Sequence, residues 1–235
     1  MRYGYYGYGI DSTYLLIIAV FLVSMAVQAY MRGTFSKYSK IRNMRGMTGA
    51  DAARQILDSE GLYQVQVLPV GGSLTDHYDP RTKTVSLSES VFGSTSLAAA
   101  GVAAHECGHA IQDAKGYAPL NIRTALVPAA NFGANFSWPL FLVGLFFSSG
   151  ILIRIAILLY ILALLFQLVT LPVEFNASSR AMEKLKSLGL LQSEEYSGTQ
   201  KVLRAAAMTY VAAAAASVMY LIRMLILSGD RRRND

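Results

Sequence analysis

The sequence predicts an α+β membrane protein, mostly helical, with a small β-sheet and three to four transmembrane helices. Three observations carry this reading. Apolar residues make up 53% of the 235-residue chain and charged residues only 15%, a balance shifted away from soluble globular proteins. The apolar residues gather in long runs that a soluble core of this size does not need. The stretch between the first and second runs carries helix caps, alternating residues and turn signals.

Residues 1–11 are rich in Tyr and Gly. They are too short and irregular to fold alone, and they suit a membrane interface, where tyrosine is favoured. From Tyr14 to Met31 the chain is apolar and uncharged, long enough to span as a helix. A cleaved signal peptide is the alternative; only Arg2 precedes the run as a positive charge, and no clear cleavage site follows. Residues 1–31 therefore read as an N-terminal segment and first transmembrane helix. The net charge is +6, which raises nucleic-acid binding as a possibility to test. The basic residues instead flank the apolar runs. Arg32, Lys37, Lys40, Arg42 and Arg45 follow the first with no acid among them, as membrane flanks do. No recognition helix, zinc finger or RNA-binding signature accompanies them, and nucleic acid is excluded as a partner.

Residues 32–120 form the polar region. Thr48 caps a helix to about Ser59, with Asp51 in its first turn and Gly61 as its stop. Tyr63 to Val67 alternates with period two and reads as a strand. Leu74 to Tyr78 and Lys83 to Leu87 read as a hairpin around Asp79-Pro80-Arg81-Thr82. A helix then starts near Ser94 or Ser96, runs through Ala98, Ala99, Ala100 and Val102 into His105-Glu106-Cys107-Gly108-His109, and ends before Gly116.

Two apolar runs, Ala125–Phe147 and Ile151–Leu171, are separated by Ser148-Ser149-Gly150, so residues 121–171 read as a transmembrane helical hairpin. Asn131, Asn135 and Pro139 make its first arm the less regular, and Arg154 near the turn can snorkel to the interface. Residues 172–204 read as a polar helix from about Pro172 to Leu188, with Gly189 as cap, and the start of another helix after Ser193. Residues 205–235 hold a C-terminal apolar helix, interrupted by Arg223, and a basic tail. The Ala-rich first half of that helix suits burial in protein as well as lipid. Basic flanks place residues 32–120 and 172–204 on the cytoplasmic side. Arg231, Arg232 and Arg233 break the rule if the last helix spans completely.

The chemistry lies in the pentad. Histidines four apart on a helix share a face, so both imidazoles reach one ion. The glutamate after the first histidine projects beside that ion, where it can take a proton from an activated water and pass it to a leaving amine. The chain has three histidines and one cysteine, Cys107. No intrachain disulfide and no multi-cysteine zinc knot can form, and Cys107 reads as a small packing residue pointing away from the metal.

A catalytic zinc site needs a third protein ligand and an open position. A metzincin would place a histidine at position 115, where this chain has Lys115. Glu174, just after the third apolar run, is the best candidate; an ordinary interfacial carboxylate is the plainer reading. His77 is the rival ligand, or a group on the substrate side. Asp113 falls on the helix face of His105 and His109 and either orients a ligand or is solvated. His77, Arg180 and Tyr210 are the available types for stabilising a developing oxyanion. The strands at 63–69 and 83–87 are candidates for pairing with an extended peptide.

The runs Val102 to Ala114, Asp76-His77-Tyr78-Asp79-Pro80 and Pro172-Val173-Glu174-Phe175-Asn176-Ala177-Ser178 resemble the YugP-type neutral zinc metallopeptidases, bacterial membrane proteins, over nearly the whole chain. More distantly the chain is similar to the HtpX-type and CAAX-prenyl-type membrane zinc peptidases, which place transmembrane helices between the zinc helix and a glutamate ligand. The resemblance implies a mostly helical, zincin-like peptidase region and supports Glu174 as the ligand. In the wider group an aspartate follows that glutamate four residues later. Here the position is Ser178, leaving Ser178, Asn176 or Asp113 to support the ligands.

The reading is thus a gluzincin-like zinc endopeptidase of the bacterial cytoplasmic (inner) membrane, multi-pass and facing the cytoplasm. One Zn2+ is held by His105, His109 and Glu174, with Glu106 as general base. Its substrate is a peptide or protein, membrane proteins and their quality control included; a homo-oligomer or a membrane partner protein stays open. The alternative is a non-catalytic, zinc-containing membrane adaptor or chaperone, which would not require Glu106. An intramembrane protease is disfavoured, because Gln112-Asp113-Ala114-Lys115 follows the pentad.

Overall fold

The first apolar run forms α1 (Thr13–Tyr38) in the computed structural model, which describes residues 13–229. The Tyr- and Gly-rich start, Arg2 and the tail Arg231–Arg233 lie outside the described residues. Helix α2 (Gly49–Ser59) begins on a reciprocal cap: the Thr48 hydroxyl accepts from the Asp51 backbone N–H, and the Asp51 carboxylate accepts from that of Thr48. Gly61, at φ +72°, turns the chain out of the helix.

The strand expected at Tyr63–Val67 lies later, as β1 (Gln66–Val70). Tyr63 is exposed, while Leu62 and Val65 are buried. The Val65 N–H donates to the Leu62 carbonyl, and the Arg54 guanidinium donates to both the Leu62 and Val65 carbonyls. The apparent alternation there is the spacing of a turn that inserts Leu62 and Val65 into the core. The expected hairpin is present as β2 (His77–Asp79) and β3 (Thr84–Ser88), paired antiparallel, and β1 runs parallel to β3 on its other side. The order β1-β3-β2 leaves β2 at an edge. A short helix that the sequence reading omits, α3 (Glu89–Phe92), follows β3; Asp76 accepts from the Ser88 N–H and hydroxyl just before it.

Helix α4 (Leu97–Ala114) carries the pentad, and the Ser96 hydroxyl caps it by accepting from the Ala99 N–H. Ala98, Ala99, Ala100, Ala103 and Ala104 are fully buried. They pack α4 into one core with Ile56 and Leu57 of α2, Val85 and Leu87 of β3, and Leu185.

Helices α5 (Ala118–Phe146) and α6 (Gly150–Ser187) pack as a hairpin, with Ser148 at φ +53° in the turn. The reading that started a separate helix at Pro172 is corrected: α6 runs unbroken through Pro172. A proline costs the helix one hydrogen bond, but where water is scarce a helix remains the best way to satisfy the other backbone groups. Arg154 folds back onto the Gly150 carbonyl. The last helix, α7 (Ser193–Gly229), packs on α1, α4 and α6.

Three helices, α1, α6 and α7, are long and apolar enough to cross a membrane. Among the described residues α5 is not one of them; Asn131, Asn135 and two internal prolines dilute its apolar character. The molecule is a mostly helical α+β membrane protein, with the small sheet and α4 gathered at the end of α6 that carries Glu174.

Candidate metal centre

The central turns of α4 set His105 and His109 one above the other, with ring centroids 4.8 Å apart and planes nearly perpendicular at 85°. Both Nε2 atoms face one oxygen of α6: Glu174 Oε2 lies 3.2 Å from His105 and 3.6 Å from His109. Ligand atoms of all three residues lie within 4.8 Å of one another. A tetrahedral zinc with bonds of about 2.0–2.1 Å holds its ligand atoms roughly 3.3 Å apart, so this cluster has the dimensions and the donor types for such an ion. Glu174 is 2% exposed, and a carboxylate that deep needs positive partners.

The remaining ring nitrogens are also held. The Gln112 side-chain amide donates to the Val173 carbonyl at 2.8 Å and to Asn176 Oδ1 at 3.0 Å, which turns its oxygen toward His109 Nδ1, 3.0 Å away. That oxygen can only accept, so Nδ1 carries the proton and Nε2 presents its lone pair to the Glu174 side. His105 Nδ1 is hydrogen-bonded to Ser178 Oγ at 3.1 Å. Ser178, one turn beyond Glu174 on α6, thus stands where a carboxylate was expected from the wider resemblance, and a hydroxyl makes the contact.

Helix α4 reaches this position because Gly108 lacks a side chain. A Cβ there would lie 2.5 Å from the Ala177 carbonyl oxygen, so α4 and α6 meet backbone against backbone beside the ligands. Cys107 points the other way, fully buried with its thiol toward the Ala53 carbonyl, and burial pushes that thiol well above its usual range.

Glu106 is 8% exposed and lines two cavities that meet at the cluster. The polar one, about 260 Å³, is also bounded by His77, Tyr78, Leu120, Arg123 and Tyr210. The other, about 200 Å³, lies toward α1 and α7. Asp76, His105, Glu174 and Tyr210 border both.

The other sequence-derived candidates divide. Tyr210 of α7 reaches the cluster. His77 lines the polar cavity with Nδ1 turned 2.8 Å from the Thr75 carbonyl, and it lies apart from the ligand group. Asp113 points away from the histidines: its Oδ2 accepts from the Tyr78 hydroxyl and from Lys83 Nζ, both at 2.6 Å, and so ties α4 to the hairpin. Arg180 lines neither cavity; its Nε donates to Asn176 Oδ1 at 2.8 Å. Of the two strands expected to receive a peptide, β3 is central and paired on both sides, and the edge beside the polar cavity is β2. Lys115, where a metzincin would have its third histidine, instead pairs with Glu60 at 2.8 Å.

Two residues of the centre were absent from the sequence reading in these roles. The sequence presents Gln112 as a polar residue closing the apolar stretch, and its i+3 position to His109 on one helix is the signal for its role here. Arg123 of α5 lies with Nη1 3.8 Å from Glu174 Oε1, and its buried Nε has no hydrogen-bond partner among the described residues. Nothing local marks Arg123, because α5 has to fold back along α6 to bring it there.

The family described as "Putative neutral zinc metallopeptidase" matches residues 13–229. The chain is similar to "Putative membrane protease YugP" of Bacillus subtilis (strain 168), with 47% identity over 216 residues, covering 91% of this chain and 96% of that protein. No solved structure matches. The chain belongs to this neutral zinc metallopeptidase family.

Proposed function

We propose that this family member is a zinc-dependent endopeptidase of the bacterial inner membrane, with His105, His109 and Glu174 as ligands of a single ion and Glu106 as general base. One observation carries the reading: Glu106 opens onto two cavities beside three converging ligand atoms. A purely structural zinc site has no use for such a carboxylate. It also favours hydrolysis over the adaptor or chaperone alternative.

Zinc, when bound there, supplies Lewis acidity that polarises a carbonyl and acidifies water to a pKa of about 7. The chain does the rest. Gln112 and Ser178 hold the imidazoles in orientation. Glu106 takes a proton from the attacking water and returns it to the leaving amine. Arg123 and Tyr210, both on the polar cavity beside Glu174, are the donors available to the developing negative charge on the carbonyl oxygen. An extended substrate pairs with the free edge of β2. Basic residues following α1, and those of 172–204, orient this body toward the cytoplasm. In this division residues 32–120 and 172–204 form the peptidase body, and 1–31, 121–171 and 205–235 the anchors.

The test compares wild type with Glu106→Gln on peptide substrates in detergent. We expect kcat to fall roughly 10²–10⁴-fold while the bound zinc is unchanged. Unchanged hydrolysis in Glu106→Gln, or no hydrolysis by the zinc-loaded wild type, would sink the peptidase reading.

A further inference from the structure

The cavity toward α1 and α7 has a chemistry of its own. Its apolar walls are Met31 of α1, Val102 of α4, and Val202, Leu203, Ala206 and Ala207 of α7, with the hydroxyls of Ser178 and Thr209 also on the lining. On α7 these recur at the helical spacing that also brings in Tyr210, so one face of that helix forms the wall from the cavity to the polar side. On α4, Val102 lies one turn before Glu106 on the same face. Small residues, Ala206 and Ala207, sit where larger ones would fill the space. The volume is about 200 Å³, and an apolar cavity of about 150 Å³ takes up a benzene molecule.

The charges that border it are Asp76, Glu106 and Glu174, and no Lys or Arg is among its lining residues. The acidic groups at the mouth repel a carboxylate, and the apolar walls further in disfavour a side chain of either charge. The mouth is the metal cluster itself, since His105 and Glu106 line this cavity as well as the polar one. A side chain seated here therefore belongs to a residue directly beside the bond presented to Glu106.

We propose that this cavity is the specificity pocket of the site and selects a bulky apolar residue, of leucine or phenylalanine size, next to the scissile bond. The proposal rests on the peptidase reading for its scissile bond but not for its binding preference. The substrate class is then an extended polypeptide segment with a large apolar residue at the cleavage point.

Binding is measured on zinc-loaded Glu106→Gln, which leaves peptides intact. Labelled Gly/Ser host peptides carry a single Phe, Leu, Ala or Asp, so the one distinctive side chain sets the register. Phe and Leu peptides should bind roughly 10- to 100-fold more tightly than Ala or Asp peptides. Adding Ala206→Phe should remove at least about tenfold of the Phe preference and leave the Ala peptide unaffected. Adding Val102→Ala, which widens the opposite wall, should shift the ranking toward Phe over Leu, and it decides the matter if Ala206→Phe does not retain zinc. Equal affinity for all four peptides, or a ranking untouched by both wall variants, overturns the pocket. Wild-type cleavage of a mixed peptide library separates the two readings. Cleavage with no apolar preference at the cut defeats the pocket and leaves hydrolysis standing. No cleavage, with the ranking intact in Glu106→Gln, defeats hydrolysis and leaves the pocket standing.

Discussion

The two helices that meet at the candidate metal centre are held in place by different means. Helix α4 is buried on nearly every side, with alanines and Cys107 packed against α2, the sheet and α7. Helix α6 is buried along one stripe, from Ile153, Ala156 and Tyr160 down to Ala177, Ala181 and Leu185, and leaves the rest to its surroundings. Two of the candidate ligands thus come from a helix fixed by a water-excluding core, and the third from a helix that enters that core only at its Ala181–Leu185 end and otherwise lies against α5, α7 and, in the membrane reading, lipid. A metal centre built across such a joint reports on the joint. Zinc affinity should be more sensitive to changes at the α4–α6 contact than the fold of either part.

The sharpest way to break the comparison is to remove the α6 contribution. Glu174→Ala should weaken zinc binding by more than about a hundredfold, exceeding what loss of a supporting group costs, and bring hydrolysis to background. Chelator competition reads this directly. If zinc stays, the third ligand is another residue. Next is Gly108→Ala, which puts a methyl group against the Ala177 carbonyl. We expect up to about 3 kcal/mol of destabilisation in thermal unfolding, with zinc loss beginning below the unfolding transition. Gln112→Ala leaves all three ligands but releases His109 Nδ1 and the Val173 carbonyl. Zinc affinity should fall about 10- to 100-fold, with kcat restored at saturating zinc.

The smallest effect lies on the α2 side of the joint, where Glu60 at the end of α2 pairs with Lys115 and with Lys184 of α6. Those two ammonium groups, Lys115 foremost, hold its carboxyl below the ordinary value of 4.5. A depressed carboxylate adds stability above its unfolded pKa and loses it as pH falls through the folded one. Glu60→Gln should therefore cost about 1 kcal/mol near neutral pH. The difference from wild type should shrink below about pH 4.5 and vanish once the native carboxyl is protonated, as denaturant melts across pH will show.

The sequence announces local geometry well. Ser96, one of the two starts read for α4, Thr48 with Asp51 on α2, and the Asp79-Pro80 turn all appear, because each depends on neighbours in the chain. Histidines four apart need only a helix to face one ion. Glu174 was legible by its place after an apolar run and by resemblance, and the structure sets it against both imidazoles. What fails to show depends on packing. The Tyr63–Val67 alternation gives way to a turn because Arg54 gathers two carbonyls. Pro172 reads as a break but lies within α6. Arg123 and the β2 edge join the centre only after α5 folds along α6 and β3 takes the middle of the sheet. Asp113, on the correct helix face by periodicity, is drawn off to Tyr78 and Lys83 instead.

The burial of Cys107 has a practical consequence. The chain's one thiol is sealed in the core and unreactive while the protein is folded, so the native sequence already serves as a cysteine-silent background for labelling. A cysteine introduced at Met44, whose native side chain is 76% exposed, will be the group that reacts with a membrane-impermeant maleimide. In intact cells it should stay unlabelled, and in inverted vesicles it should label fully, if the metal centre faces the cytoplasm.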